Sequence, residues 1–174
     1  MEAASRHGRI DLEDEDLYDA DGGESPVATM AEVVRHLIAG EACDERVGFK
    51  YGYALELLCR HLGQSLPNAR WSALRWEWLE EVDESLAVAG VPAEIFSVTR
   101  HLVCRGAPVT LSRIEGFPSI GYLTVSEIPA VAAALRSPKV AEIGDEEVRE
   151  SLAELSGWLR ACEDSDRDLI CFYG

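Results

Sequence analysis

Residues 145–174 read DEEVRESLAELSGWLRACEDSDRDLICFYG, and this stretch decides the fold. Val148, Leu152, Leu155, Trp158 and Leu159 recur at helical spacing. Asp145, Glu146 and Glu147 stand at the N-terminal end of that run, where the helix dipole favours negative charge. The spacing predicts a helix from about Asp145 to Ala161. From Leu169 to Tyr173 the composition turns β-branched and aromatic, which predicts a strand tied into a small sheet. A helix delivering the chain into a terminal strand makes the expected fold α+β rather than an all-helical bundle.

Upstream, helical periodicity dominates. Ser25-Pro26 reads as an N-cap and first helical residue, followed by Val27, Met30, Val33, Val34, Leu37 and Ile38 and a stop at Gly40. After a polar loop over 41–49, further helices are predicted from Lys50 to His61, from Ala69 to Ala89, and from Pro92 to near Gly106. Residues 107–123 mix Val109, Leu111, Ile114, Phe117, Ile120, Tyr122 and Leu123 with Pro108, Gly116, Pro118 and Gly121. That mixture suits a short strand, a turn and a partly buried loop. Thr124 or Ser126 is expected to cap a helix running to Leu135, with Pro129 in its first turn and Arg136-Ser137-Pro138 ending it. The sum is one predominantly helical α+β domain over 26–174 with a small sheet, preceded by an acidic tail over 1–25. That tail holds nine acids and two arginines.

The chain has 174 residues, 32 acids against 16 bases, and a formal net charge of −16. Such a balance argues against direct nucleic-acid binding, which needs a Lys/Arg-rich face, and against docking on anionic membrane. The first ten residues lack the apolar segment of a signal peptide, and no run approaches the length of a membrane span, so a cytoplasmic location is expected. Cys43, Cys59, Cys104, Cys162 and Cys171 are scattered, odd in number and contain no C-x-x-C pair, which fits reduced, mostly buried thiols.

Chemistry-bearing patterns are sparse. The words Arg35-His36-Leu37, Arg60-His61-Leu62 and Arg100-His101-Leu102 each precede a glycine, at Gly40, Gly63 and Gly106. A histidine cluster could hold a metal, but cations offsetting helix C-termini before a glycine cap account for all three copies. No metal site and no cofactor are therefore predicted. His101 and Cys104, at i and i+3, could pair as thiol and imidazole. No phosphate-binding, nucleophile-elbow or zinc-protease word is present. An enzyme is accordingly unsupported.

The third helix is the most informative. Trp71, Leu74, Trp78, Val82 and Leu86 fall on one stripe and should face the core, which places Trp76 on the opposite side with Ala73, Glu80, Asp83 and Glu84. An aromatic ringed by carboxylates has the composition of a hot spot for a basic protein. The alternative is that Trp76 is covered by the tail or by the 107–123 segment. The ten acids and three arginines of 142–168 form a second negative patch, either a solvated face or part of one field with the tail and the Trp76 face.

Three stretches, Tyr51-Gly-Tyr-Ala-Leu-Glu-Leu-Leu-Cys-Arg-His-Leu-Gly63, Gly116-Phe-Pro-Ser-Ile-Gly-Tyr-Leu-Thr124 and Asp168-Leu-Ile-Cys-Phe-Tyr-Gly174, together resemble an uncharacterised family of small actinobacterial proteins of unknown function. The resemblance covers about 48–174 and implies a strand-forming C-terminal end. Members of that family begin with a β-strand where this chain has its acidic tail. The resemblance implies no activity and carries over no site residues. The expected function is a non-enzymatic cytoplasmic protein-binding module, in one form an immunity or antitoxin-like inhibitor of a basic protein, with Trp76, Glu80, Asp83 and Glu84 at the interface. The alternative is a small enzyme or ligand-binding protein with a pocket near His101, Cys104, Tyr122, Tyr51 and the 107–123 loop.

Overall fold

Asp145 opens the long C-terminal helix as its position predicts. In a computed structural model of the chain its carboxylate accepts the Val148 N–H at 2.9 Å, satisfying one of the free donors of the first turn. The structure describes residues 27–71, 75–111 and 118–174. The expected tail over 1–25, the Ser25-Pro26 helix start, Ala73 and Leu74 of the expected third helix, and the 112–117 part of the 107–123 segment, with Ile114, Gly116 and Phe117, lie outside the described residues.

Ten elements can be placed among the described residues. Helices α1 (Met30–Ala39) and α2 (Gly48–Leu62) flank a single 3₁₀ turn at Glu45–Val47. Helix α3 (Trp76–Val88) is followed by a π-helical turn at Val98–Val103 and by strand β1 (Ser119–Leu123). Helices α4 (Ile128–Leu135), α5 (Pro138–Ala141) and α6 (Glu146–Ser165) lead to strand β2 (Leu169–Tyr173). The fold is α+β and mostly helical, with a small antiparallel sheet that includes the C-terminal strand. Ser119 pairs with Tyr173 and Leu123 with Leu169. Among the described residues, no helix is long and apolar enough to cross a membrane.

A two-stranded ribbon is marginal by itself. Here it is held against the π-helical turn by Gly121. A Cβ at that position would run into the Leu102 backbone and lie 2.5 Å from the His101 carbonyl oxygen, so only glycine lets the strand approach so closely. Gly106, in a left-handed conformation at φ 90°, donates its N–H to the Ile120 carbonyl at 2.8 Å and ties the turn to the strand from the other side.

Several boundaries differ from the sequence expectations; among them, α4 opens at Ile128 with Glu127 rather than Thr124 or Ser126 in the N-cap position, and α6 runs on to Ser165 rather than ending near Ala161. Helix α1 starts at Met30 because Thr29 and Glu32 form a capping box, each side chain meeting the other's backbone N–H. Helix α3 starts at Trp76 rather than Ala69, since Arg75 is extended and the preceding strap is pinned to α6. Glu154 accepts the Ala69 and Arg70 N–H groups at 2.9 Å each, and the Trp71 indole N–H donates to the Ser151 carbonyl at 2.9 Å. The expected fourth helix is a turn followed by the π-helical segment, closed by the bond from Cys104 N–H to the Thr99 carbonyl. Pro138 ends α4 as expected but also opens α5, where its missing N–H is harmless.

The buried side chains form two clusters. The larger gathers Leu79, Val82 and Leu86 of α3, Val131 of α4, Leu155 of α6 and Leu123 of β1. The smaller joins α1 to α2 around Tyr51, which has no exposed surface. The Tyr51 hydroxyl lies 2.8 Å from His36 Nδ1 and accepts the Asp44 N–H at 2.8 Å. Arg46 grips the Asp44 carboxylate at 2.7 Å and holds its pKa down at about 2.

Candidate functional site

Helix α3 has one apolar side and one acidic side. Leu79, Val82 and Leu86 are buried at i, i+3 and i+7, so Glu77, Glu80, Glu81 and Glu84 are turned out and exposed. The helix contains no lysine, arginine or histidine, and its last turn has no base to offset the dipole. Trp76 stands at the start of this face with 40% of its surface exposed. Its indole N–H donates to Glu80 Oε1 at 2.8 Å, an i, i+4 contact that fixes the ring instead of leaving it to swing in solvent. Trp78, by contrast, turns inward and meets Trp71 edge-on at 5.3 Å, while Trp71 lies 5.9 Å from Trp158.

Of the residues expected at an interface, Trp76, Glu80 and Glu84 therefore share the exposed side. Asp83 is directed into the fold. Its carboxylate accepts the backbone N–H groups of Val98 at 2.6 Å and Thr99 at 3.1 Å and the Ser97 hydroxyl at 2.8 Å, so it caps the π-helical turn. Two carboxylates of the face, Glu77 and Glu81, were missing from the sequence expectation. They become visible once the helix is started at Trp76 and its buried stripe is drawn through Leu79, Val82 and Leu86.

Of the residues of the alternative constellation, His101 lies in the π-helical turn, with Cys104 directly after it, whereas Tyr51 sits apart in the smaller core cluster. His101 is buried, stacks on Phe96 at 5.9 Å and takes the Ser97 N–H on Nδ1 at 3.0 Å. Burial, with Arg105 and Arg100 nearby, holds its pKa below the ordinary histidine value. Cys104 is exposed. The Tyr122 ring lies under the Arg105 guanidinium at 4.1 Å, and Arg105 grips Glu127 through two bonds of 2.9 Å that hold the Glu127 pKa down at about 2. Tyr51 belongs to the other core cluster. The first two Arg-His-Leu words sit at the C-terminal ends of α1 and α2. Gly40 follows the first in the left-handed conformation, while the third falls within the π-helical turn. No group of three or more potential metal ligands occurs among the described residues.

A cleft of about 750 Å³ opens between α2 and the body of the domain, with Leu55, Cys59, Leu102, Val109, Trp158 and Cys171 among its lining residues. None of the histidines is among its described lining residues. Cys59, Cys162 and Cys171 all line it, and burial pushes all three thiols up, Cys171 to about 12. Such thiols stay protonated at neutral pH and behave as soft apolar lining rather than as nucleophiles. A family model described as a domain of unknown function, DUF7691, matches residues 3–174. No curated protein and no solved structure matches the chain.

Proposed function

The chain belongs to the DUF7691 family, a domain of unknown function, and from the surface of α3 we propose that it is a non-enzymatic protein-binding module for a basic partner. In its most concrete form it is an immunity or antitoxin-like inhibitor that occupies the cationic surface of a toxin or nucleic-acid enzyme. The observation that carries this reading is the Trp76–Glu80 contact: a large aromatic, partly exposed and held by its own helix, at the edge of a face with four glutamates and no base. A ring already fixed loses little side-chain entropy on docking, which suits a central anchor. The surrounding carboxylates steer a cationic protein and pair with its Lys and Arg groups at the rim. The same charge disfavours nucleic acid and anionic membrane as direct partners. A cytoplasmic location fits five thiols without a disulfide.

The test is affinity capture by the tagged full chain from its native cells at low salt, with Trp76→Ala and Glu80→Gln versions alongside. One basic protein should be retained by the wild type, lost from Trp76→Ala, weakened by Glu80→Gln, and released as ionic strength rises past the point where the Debye length falls below about 8 Å. Capture that is insensitive to salt, or a partner with an acidic surface, would defeat the proposal.

A further inference from the structure

The cleft beside α2 has a chemical asymmetry. Its walls are apolar, with Leu55 and Leu58 on one side and Leu102, Trp158 and Leu169 facing them. At about 750 Å³ it falls in the size range of small-molecule sites. Leu62 and Val109, 72% and 49% exposed, line it as well, so apolar surface continues outward from the walls into solvent.

The charged and hydroxyl groups around the cleft are mostly committed. Arg60 is paired with Glu56 at 2.6 Å, Asp168 accepts the Val125 N–H at 2.7 Å, and the Ser165 hydroxyl donates to the Ala161 carbonyl at 2.7 Å. Arg167 is different. Its backbone N–H is bonded to the Cys162 carbonyl at 3.1 Å, just after Asp166 ends α6 in the left-handed conformation. Its guanidinium has no ion pair and no hydrogen bond among the described residues, and Arg167, an exposed residue, is one of those lining the cleft. An apolar channel with one uncommitted cation matches a molecule with an alkyl body and a single anionic end. An alkylammonium would find only carboxylates already bonded.

We infer that the cleft binds an amphipathic monocarboxylate of the fatty-acid class, with its alkyl chain between α2 and the Leu102–Trp158 wall and its carboxylate on Arg167. The net charge of −16 does not prevent this: of the acids, Glu56 and Asp168 are among the described residues lining the cleft, Glu56 paired with Arg60 and Asp168 accepting the Val125 N–H, and acids farther off are screened beyond about 8 Å at physiological salt. Each methylene drawn from water into the cleft should tighten binding about fourfold.

Isothermal titration of the full chain with monomeric decanoate, octanoate, decanol and decylamine tests the inference. Decanoate should bind one to one, octanoate about 15-fold more weakly, decanol more weakly than decanoate, and decylamine least. Arg167→Gln, a change at an exposed site, should bring decanoate down to the affinity of decanol while leaving decanol unchanged. Ala161→Trp, placed to fill the cleft, should abolish both. The inference is overturned if decanoate binding does not saturate, if decanoate keeps its advantage over decanol in Arg167→Gln, or if Ala161→Trp melts like the wild type and still binds. Should Ala161→Trp prove unstable, the decanoate-to-decanol ratio in Arg167→Gln decides alone.

Discussion

Glu81→Lys should make the isolated protein more stable and a weaker binder of its basic partner. Glu81 is exposed on α3 with Glu77 one turn before it and Glu84 one turn after it. Like charges at i, i+3 or i, i+4 destabilise a helix by about 0.2–0.5 kcal/mol per pair, and opposite charges stabilise it by a similar amount. Lysine at 81 reverses two such pairs, and Glu77 is N-terminal to it, the better order. The expected gain is about 0.8–2 kcal/mol at low ionic strength, with almost no change in intrinsic helix propensity. For a domain of this size that is roughly 2–8 °C in Tm. Calorimetric melting at low salt and again near half-molar salt checks it, since screening should remove most of the gain. A lower Tm at low salt, or a gain that persists at high salt, would refute the picture of a self-repelling carboxylate face. The binding half follows from the same charges: a face that costs the free protein stability is relieved only when a cationic partner sits on it, so the variant should gain Tm while losing affinity.

Three further outcomes follow from the packing around the π-helical turn. Asp83→Ala strips the carboxylate from two backbone N–H groups and two hydroxyls, and should cost about 3 kcal/mol in urea unfolding. Asp83→Asn, which keeps an acceptor, should cost clearly less. Gly121→Ala must push β1 away from the Leu102 backbone and should lower stability by at least about 3 kcal/mol, visible as a lost or much earlier cooperative melt. His101 has its folded pKa below its unfolded value, so the unfolded chain takes up a proton first and stability falls as the pH drops below about 6.5. In His101→Gln the urea midpoint should change less between pH 7.5 and pH 5.5 than it does in the wild type, and an equal change would contradict this assignment.

Sequence reasoning worked where several local signals pointed the same way. Asp145, the apolar stripe of α6 and the β-rich Leu169–Tyr173 run agree on a helix and a strand, and both form. It slipped where a tertiary contact outweighs local periodicity. The apolar spacing runs without a break from Trp71 to Leu86, yet Trp71 is removed from the helix by its bond to the Ser151 carbonyl, a residue far along the chain. That slip rotated the assigned face and hid Glu77 and Glu81. Asp83 looked like one more surface acid because its role as a cap is supplied by Val98 and Thr99 from another segment. The start of α1 was readable: Thr29-x-x-Glu32 is a capping-box signature, and it prevails over Ser25-Pro26, which lacks the acid three residues on. The spacing Gly116–Gly121 was visible as a pattern, but the reason for Gly121 exists only where two backbones meet.

The acidic face is a product of the fold as well as of composition. Many bases are committed elsewhere: Arg46 to Asp44, Arg60 to Glu56, Arg70 to Glu150, Arg105 to Glu127, Arg149 to the Ile143 and Gly144 carbonyls, and Lys50 to the Ala28 carbonyl. The cations hold loops and helix ends in place, and α3 itself supplies none for its four exposed glutamates. This separates two meanings of a negative protein. If only the overall field attracts the partner, Glu163→Lys near the end of α6 changes the net charge as much as Glu81→Lys and should slow association equally. If the α3 face is the docking surface, Glu163→Lys should lower the association rate modestly and leave dissociation alone, whereas Glu81→Lys should also speed dissociation. Stopped-flow association and dissociation rates for the two variants against the captured partner, at matched ionic strength, distinguish the cases. Equal effects on both rates would move the binding surface off α3.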